Sequence, residues 1–327
     1  MFSTPPEPDA KRALVTGGTG FVGSNLVRRL LHQGHVVGLL AREGSDPWRL
    51  EGVSERVHWI KASLEEPGEL QAVVADFRPQ WVFHLAAHGA YSWQRDAASI
   101  LRTNVLGTAN LLDACLGVGF ESFVNTGSSS EYGFKDHAPG EDEALEPSST
   151  YAVAKAAATL YCVQAARAAD AHVATLRLYS VYGPWEEPKR FIPQLVARGL
   201  EGHLPPLASP DTARDYVYIS DVCDAFLEVA RGDYQPGSIY NVGTGVQTTL
   251  RHAVEIARRV LGIKIEPVWR SMADRGWDTG TWVADSSRIK ERLGWSPAVD
   301  LERGLRLTAD WLTGNPSLKD RYLAASS

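Results

Sequence analysis

The stretch Ala13-Leu14-Val15-Thr16-Gly17-Gly18-Thr19-Gly20-Phe21-Val22-Gly23-Ser24 decides the fold. Ala13 to Thr16 suit a buried strand, and Ser24 to His32 continue with the spacing of a helix. Between them the chain carries G-x-G-x-x-G as Gly18, Gly20 and Gly23, and also G-x-x-G-x-x-G starting at Gly17. Glycines let a backbone turn tightly and approach a pyrophosphate, whose charge then meets the N–H groups at the head of the following helix. The string alone is weak; strand, glycine turn and helix in this order make it a dinucleotide-binding prediction.

Short apolar runs recur beyond this unit at Val36–Leu40, Val57–Ile60, Trp81–Leu85, Phe123–Thr126 and Val173–Leu178. Near-continuous apolar character is expected of parallel strands, because crossover helices cover both faces of their sheet. Ala97–Leu116 and Tyr151–Ala169 supply such helices, with Gly34, Gly117 and Gly119 as stop signals. The pattern predicts an α/β doubly wound parallel sheet over residues 1–178. A smaller, loop-rich part at 179–327 follows, marked by Tyr182-Gly183-Pro184, Leu204-Pro205-Pro206 and Pro236-Gly237. A strand near 216–243 is expected to rejoin the sheet, and Leu301–Leu312 is expected to be the last strong helix.

The chain has 327 residues, with 33 Lys and Arg against 39 Asp and Glu, and a net charge of −6. A negative balance without a basic cluster argues against nucleic acid as partner. No run of about 18 apolar residues exists, so no membrane partner or span is expected. Cys115, Cys162 and Cys223 lie far apart, which suits free thiols in the cytoplasm. No histidine spacing suits a metal, and none is expected.

An acidic residue at the end of the second strand normally accepts the ribose hydroxyls of NAD, whereas an Arg accommodates the 2′-phosphate of NADP. Here Leu40-Ala41-Arg42 lacks the carboxylate, and Arg42, Ser45 and Arg49 supply donors. NADP is therefore favoured over NAD. Arg42 lying across the adenine is the alternative.

Tyr151 and Lys155 are four residues apart on one helix, so their side chains share a face. A cation beside a phenol favours the phenolate, which would bring Tyr151 towards working pH as a proton acceptor while hydride moves to a nicotinamide. Ser128-Ser129-Ser130 follows a strand at the edge of the sheet where ligands of open α/β folds lie, and its hydroxyls can hold the reacting oxygen.

With these motifs the chain resembles the extended short-chain dehydrogenases/reductases that modify nucleotide sugars. The likeness spans nearly the whole length. It includes His84-Leu85-Ala86-Ala87, Thr103-Asn104-Val105-Leu106-Gly107-Thr108, Leu176-Arg177-Leu178-Tyr179-Ser180-Val181-Tyr182-Gly183-Pro184, Arg214-Asp215-Tyr216-Val217-Tyr218, Tyr240-Asn241-Val242-Gly243-Thr244-Gly245 and Leu293-Gly294-Trp295-Ser296-Pro297. The resemblance implies a Rossmann domain, a C-terminal domain closing over a nucleoside-diphosphate sugar, and hydride exchange at a sugar carbon, often C4. It assigns catalysis to Tyr151, Lys155 and Ser128. Cofactor binding falls to Gly17, Gly20, Phe21, Val22, Gly23, Arg42, Leu85, Ala86, Ala87, Asn104 and Lys155. Ser129, Ser130, Ser180, Phe191, Arg214 and Arg275 are implied on the substrate side, the two arginines gripping the diphosphate.

Three departures bear on reaction type. Dehydratases of this kind carry an acidic pair or Ser-Glu after the catalytic hydroxyl, where this chain has Ser129-Ser130, with Glu131 displaced by one place. Ser180 stands where many epimerases have Asn, and Ser63 where they have Asp. The sequence therefore places 4-ketoreduction slightly ahead of 4-epimerisation, with 4,6-dehydration third; a dinucleotide-binding sensor without turnover is the alternative from another class. Trp93, Trp185, Trp277 and Trp282 fall where a ring could face sugar or base. The apolar surplus of Ala97–Leu116 and Tyr151–Ala169 points to a homodimer.

Overall fold

The computed structural model describes residues 10–91, 93–233, 235–272 and 279–325. Seven strands form one parallel sheet: β1 (Arg12–Thr16), β2 (Val36–Ala41), β3 (His58–Lys61), β4 (Trp81–His84), β5 (Ser122–Ser128), β6 (Val173–Leu178) and a late strand, Ser238–Val242. The order across the sheet is late strand, β6, β5, β4, β1, β2, β3. It reverses between β1 and β4, and the crevice at such a switch point is where open α/β sheets bind ligands. The returning strand expected near 216–243 is thus the stretch 238–242, paired in register with β6.

Both faces of the sheet are covered over its inner strands, which are therefore apolar without alternation, while the edge strand β3 is largely exposed. On one face α1 (Phe21–His32) contributes Leu26 and Leu30 to the core. On the other lie α2 (Pro67–Phe77), α3 (Ala97–Leu101), α4 (Gly107–Val118) and α5 (Thr150–Ala169), with Leu70, Val74, Leu111, Leu112, Cys115 and Cys162 buried among them. Pro67 opens α2, where a missing N–H costs nothing, and the Ser149 hydroxyl caps α5 by accepting from Ala152 N. The helix expected at Ala97–Leu116 is split by a π turn, Arg102–Leu106. Within that turn Asn104 clasps the backbone of His88, accepting from its N–H at 2.8 Å and donating to its carbonyl at 2.7 Å. Such local expansions mark positions where a helix yields to a tertiary contact.

The C-terminal part contains β7 (Ser180–Tyr182), α6 (Phe191–Gly199), β8 (Ala213–Arg214), β9 (Tyr216–Tyr218), α7 (Ile219–Arg231), β10 (the late strand Ser238–Val242), β11 (Thr248–Thr249), α8 (Leu250–Leu261), α9 (Ser287–Leu293), α10 (Leu301–Thr313) and α11 (Pro316–Ala324). β7 pairs with β9, and β8 with β11. Helix α7 packs back on α1 and closes the first face of the large sheet. Leu301–Leu312 is not the last helix: α11 follows, docked because Tyr322 donates to Glu186 O at 2.7 Å and its own carbonyl accepts from Gln194 Nε2.

Glu186 lies in the loop after β7, and its side chain is 4% exposed. One carboxyl oxygen faces Arg190 Nε at 3.2 Å; the other has no hydrogen-bond partner among the described residues. Burial pushes this carboxyl up to about 8, against the opposing charge of Arg190. An acid raised in the folded state contributes its full stability below the unfolded value near 4.5, and that stability drains away as pH climbs to 8, because only the unfolded chain has ionised. Glu186→Gln is therefore expected to be more stable than the parent by roughly 1–3 kcal/mol at the alkaline end of this window, with the gap narrowing towards its acid end. Thermal melts of both proteins across the window measure it; a gap that stays constant contradicts the prediction.

Candidate active site

The glycine turn sits between β1 and α1 at the switch point. Gly17 has φ +68°, and a Cβ there would meet Ala86 N and Leu85 C, each at 2.5 Å; at Gly23 it would meet Gly17 O at 2.3 Å. Both close approaches are backbone to backbone, so the turn tolerates no side chain. Gly20 caps α1 without a side-chain acceptor, and the first turn carries no acid. The leading N–H groups of a helix lack helical partners, and here they belong to Phe21, Val22 and Gly23. An uncapped, acid-free helix head beside a side-chain-free turn fits a dinucleotide pyrophosphate. Gly23→Ala is expected to weaken dinucleotide binding by at least about 100-fold, or ~2.7 kcal/mol. Calorimetric titration reads this directly, and a Kd within threefold of the parent's contradicts it.

Thr16, at the end of β1, organises the neighbouring strand end. Its hydroxyl accepts from Ala86 N at 3.2 Å and lies 2.7 Å from His84 Nδ1, while His84 Nε2 faces Thr108 Oγ1 at 2.9 Å. Burial, then the charge of Lys155, pushes His84 down to about 3, so the ring is a neutral tie. It fixes the Leu85–Ala87 backbone against the glycine turn. Asn104, implied as a cofactor contact, has its amide engaged by His88, so it shapes the loop after β4.

Arg42 follows β2 and is exposed. The companion donor expected at Arg49 is turned inward: its Nε donates to Trp185 O at 2.8 Å and its Nη2 pairs with Glu187 at 3.0 Å. Only Arg42 and Ser45 of that trio remain beside the strand end.

Strand β5 ends at Ser128 and turns into a single 3-10 turn, Ser129–Tyr132. The Ser128 side chain faces the Tyr151 phenol closely enough to lower its pKa, and its Oγ lies 2.8 Å from Ser130 Oγ. One turn on, Lys155 is 3% exposed, with Nζ 6.0 Å from the Tyr151 ring centre and donating to Thr126 O at 2.8 Å. The structure thus brings Ser128, Tyr151 and Lys155 together at the sheet's C-terminal edge.

The electrostatic expectation needs correction. Burial, reinforced by the negative charge of Glu131, pushes the Tyr151 phenol up to about 12; the Ser128 side chain and Arg190 pull the other way without prevailing. Burial also pushes Lys155 down to about 8. Desolvation penalises both charged forms, so spacing along a helix does not by itself deliver a phenolate.

On the substrate side, Ser129 accepts from Trp282 Nε1 at 3.2 Å, and the Arg214 guanidinium lies over the Trp282 ring at 5.7 Å. Ser129 and Trp282 line a shallow open cleft together with Tyr132, Lys135 and Tyr179. Ser180 lies in β7 and Phe191 opens α6. Arg275 and Trp277 lie outside the described residues. Trp185 is buried against Trp48 and Trp311, and Trp93 stacks on Tyr91, so of the three described tryptophans singled out, Trp282 borders the cleft. Among the described residues, no cluster of three or more His, Cys, Asp or Glu could hold a metal.

The sequence did not reveal what holds Glu131. It is fully buried, its Oε1 accepts from Ser128 N at 2.8 Å, and its Oε2 pairs with Arg177 Nε at 2.8 Å. Both oxygens are occupied below the turn, so this displaced acid is not presented to a substrate. The signal was Arg177 itself, a charge inside the otherwise apolar strand β6, which needs a buried partner.

The sequence profile of the NAD dependent epimerase/dehydratase family matches residues 13–243. The chain belongs to this family. Its enzymes of the extended short-chain dehydrogenase/reductase type share the Rossmann sheet seen here. The chain is 33% identical over 312 residues to UDP-glucose 4-epimerase of Mycolicibacterium smegmatis, covering 92% of this chain and 98% of the relative. It is 31% identical over 329 residues to dTDP-glucose 4,6-dehydratase of Streptomyces griseus, covering 96% and 98%. Among solved structures, the Thermus thermophilus UDP-glucose 4-epimerase complex with NAD superposes with a TM-score of 0.80 at 29% identity, covering 93% of this chain and 99% of that one. The family thus embraces both reactions.

Proposed function

We propose that this family member exchanges hydride at C4 of a nucleoside-diphosphate sugar without removing water, acting as a 4-epimerase. The observation carrying this reading is the fate of Glu131: the one acid near Ser128 in the turn is spent on Arg177 and on Ser128 N, leaving Ser129 and Ser130 where an eliminating enzyme needs an acid and a base.

The dinucleotide would be held by the helix head at Phe21–Gly23, by the Leu85–Ala87 backbone and by Lys155; when bound, it supplies the hydride acceptor and donor. Tyr151 would have to give up its own proton before taking that of the reacting hydroxyl, a loss that the positive charge of Lys155 favours and burial opposes; the phenolate so formed takes the hydroxyl proton and returns it. Ser128 hydrogen-bonds the same oxygen and keeps it within reach of the phenol. Lys155 supplies positive charge one helical turn away, and Arg214 is the described arginine proposed to grip the diphosphate. Trp282 forms a wall of the cleft beside Ser129.

A second reading, 4-ketoreduction with NADPH, is favoured by one observation: Arg42 stands exposed where a carboxylate would exclude a 2′-phosphate. It ranks below epimerisation because Arg49 is committed elsewhere and the relative that superposes here holds NAD. The protein is further proposed to be a homodimer joined through α3–α5, whose Leu101, Leu106, Val118, Val153 and Leu160 are exposed. It is proposed to work in the cytoplasm, in keeping with three buried free thiols; among the described residues no helix is long and apolar enough to cross a membrane.

Incubation with UDP-glucose or dTDP-glucose and NAD, followed by separation of the products, tests the assignment. The expected outcome is the 4-epimer with no net change in cofactor. Stoichiometric loss of NADPH with a 4-keto sugar selects reduction instead, and a 4-keto-6-deoxy product overturns the exclusion of dehydration.

A further inference from the structure

The buried pair beneath the Ser128 turn is built for more than filling space. Glu131 and Arg177 are 0% and 2% exposed, and every polar atom of the carboxylate is engaged. The turn is organised around it. Glu131 Oε1 caps Ser128 N, Ser130 N donates to Ser128 Oγ at 3.2 Å, and the carboxylate tucks over Gly127, where a Cβ would stand 2.7 Å from Oε1. Arg177 then anchors the carboxylate to the body of the protein. Its Nη1 donates to Tyr132 OH at 2.8 Å and Glu141 O at 3.1 Å, and Tyr132 OH donates to Asn241 Oδ1 at 2.7 Å on β10.

The same strand end carries the other half of the site. Lys155 donates to Thr126 O, two residues before Ser128 on β5, so the ammonium and the carboxylate flank one strand terminus. The groups facing Lys155 are few. Cys162 lies two turns along its own helix, His84 stands neutral on β4, Tyr151 precedes it by one turn, and Glu131 supplies the opposing charge. Tyr151 is faced by Glu131, Ser128, Lys155, Tyr91 and Arg190.

We propose that Glu131, clamped by Arg177, is a positioning residue of the reaction: it seats Ser128 against Tyr151 and is the fixed counter-charge of Lys155. This rests on the hydride-transfer reading above. The carboxylate touches neither sugar nor dinucleotide; it acts through the two residues that do. Burial already drives Lys155 down to about 8, with Glu131 as the largest influence holding it up, so removing that charge leaves less ammonium at neutral pH.

The test uses Glu131→Gln combined with Arg177→Met. The amide oxygen still caps Ser128 N, and no lone charge is stranded in the core. Two quantities are read on the NAD-loaded protein: the pH dependence of kcat, and the ionisation of Lys155 followed by NMR with 13C-labelled lysine, its resonance identified by its loss in Lys155→Met. The Lys155 midpoint and the alkaline limb of kcat are both expected to move about one pH unit to the acid side. At neutral pH kcat is expected to fall about twofold, as the ammonium fraction drops from about nine-tenths to about one-half, with KM within about threefold of the parent's. If the double variant does not fold, Glu131→Gln alone is read for the same two quantities. An unmoved midpoint with an unmoved kcat profile overturns the positioning role while the hydride-transfer reading survives. Absence of turnover in the parent overturns the hydride-transfer reading, and the Lys155 titration still reports on the counter-charge.

Discussion

Tyr151→Phe is expected to lower kcat by about 10³-fold, within the range general acid–base groups contribute, while NAD binds within about twofold of its parent affinity. The phenol oxygen is the one group placed by Ser128 to exchange a proton with a reacting hydroxyl. Phenylalanine keeps the ring, the helix and the packing of Ala152 and Ala154 in the core, and removes only that oxygen. The Lys155 tie to Thr126 O is independent of it. Turnover measured with the responsive sugar nucleotide, alongside cofactor titration, separates the two effects. A variant within tenfold of the parent contradicts the role given to the phenol.

Asp215→Ala is expected to destabilise the protein by about 3–5 kcal/mol, the cost of leaving several buried donors without their acceptor. Asp215 is fully buried between β8 and β9. It accepts from Thr244 N at 2.8 Å, Thr244 Oγ1 at 2.6 Å, Gly245 N at 2.9 Å and Ala284 N at 3.0 Å. These donors come from the loop after β10 and from the segment that carries Trp282. Burial pushes the carboxyl up, and the same hydrogen bonds hold it down. Loss of the hub therefore loosens the cleft wall as well as the fold, so KM for the sugar nucleotide is expected to rise. Denaturant unfolding and steady-state kinetics measure the two consequences; a loss below about 1 kcal/mol removes Asp215 as the tie.

The first strand, glycine turn and helix were legible because local propensity, hydrophobic pattern and backbone demand agree there. Ser128, Tyr151 and Lys155 were legible for a related reason: strand end and helix face fix their placement before any long-range packing is known. What escaped depended on distant partners. The π turn at Arg102–Leu106 exists because Asn104 reaches the His88 backbone, and α11 is held by Tyr322 bonded to Glu186, 136 residues away. Glu131 was read as a displaced acid because its partner Arg177 lies on another strand. The Tyr151 phenol was misjudged because spacing reveals a neighbouring cation, whereas the larger influence, removal from water, is a property of the assembled site.

The most direct test follows the hydrogen itself. NAD-loaded protein is mixed with a nucleoside-diphosphate sugar deuterated at C4 and quenched both part-way through and after a single turnover, and dinucleotide and sugar are weighed by mass spectrometry. Transient deuterium on the reduced nicotinamide of the parent, returned to C4 of the 4-epimer by the end of the turnover, and no labelled dinucleotide with Tyr151→Phe, is the predicted result. Deuterium lost from C4 to solvent in the product, or equal labelling of the dinucleotide in the variant, would contradict hydride transfer governed by Tyr151.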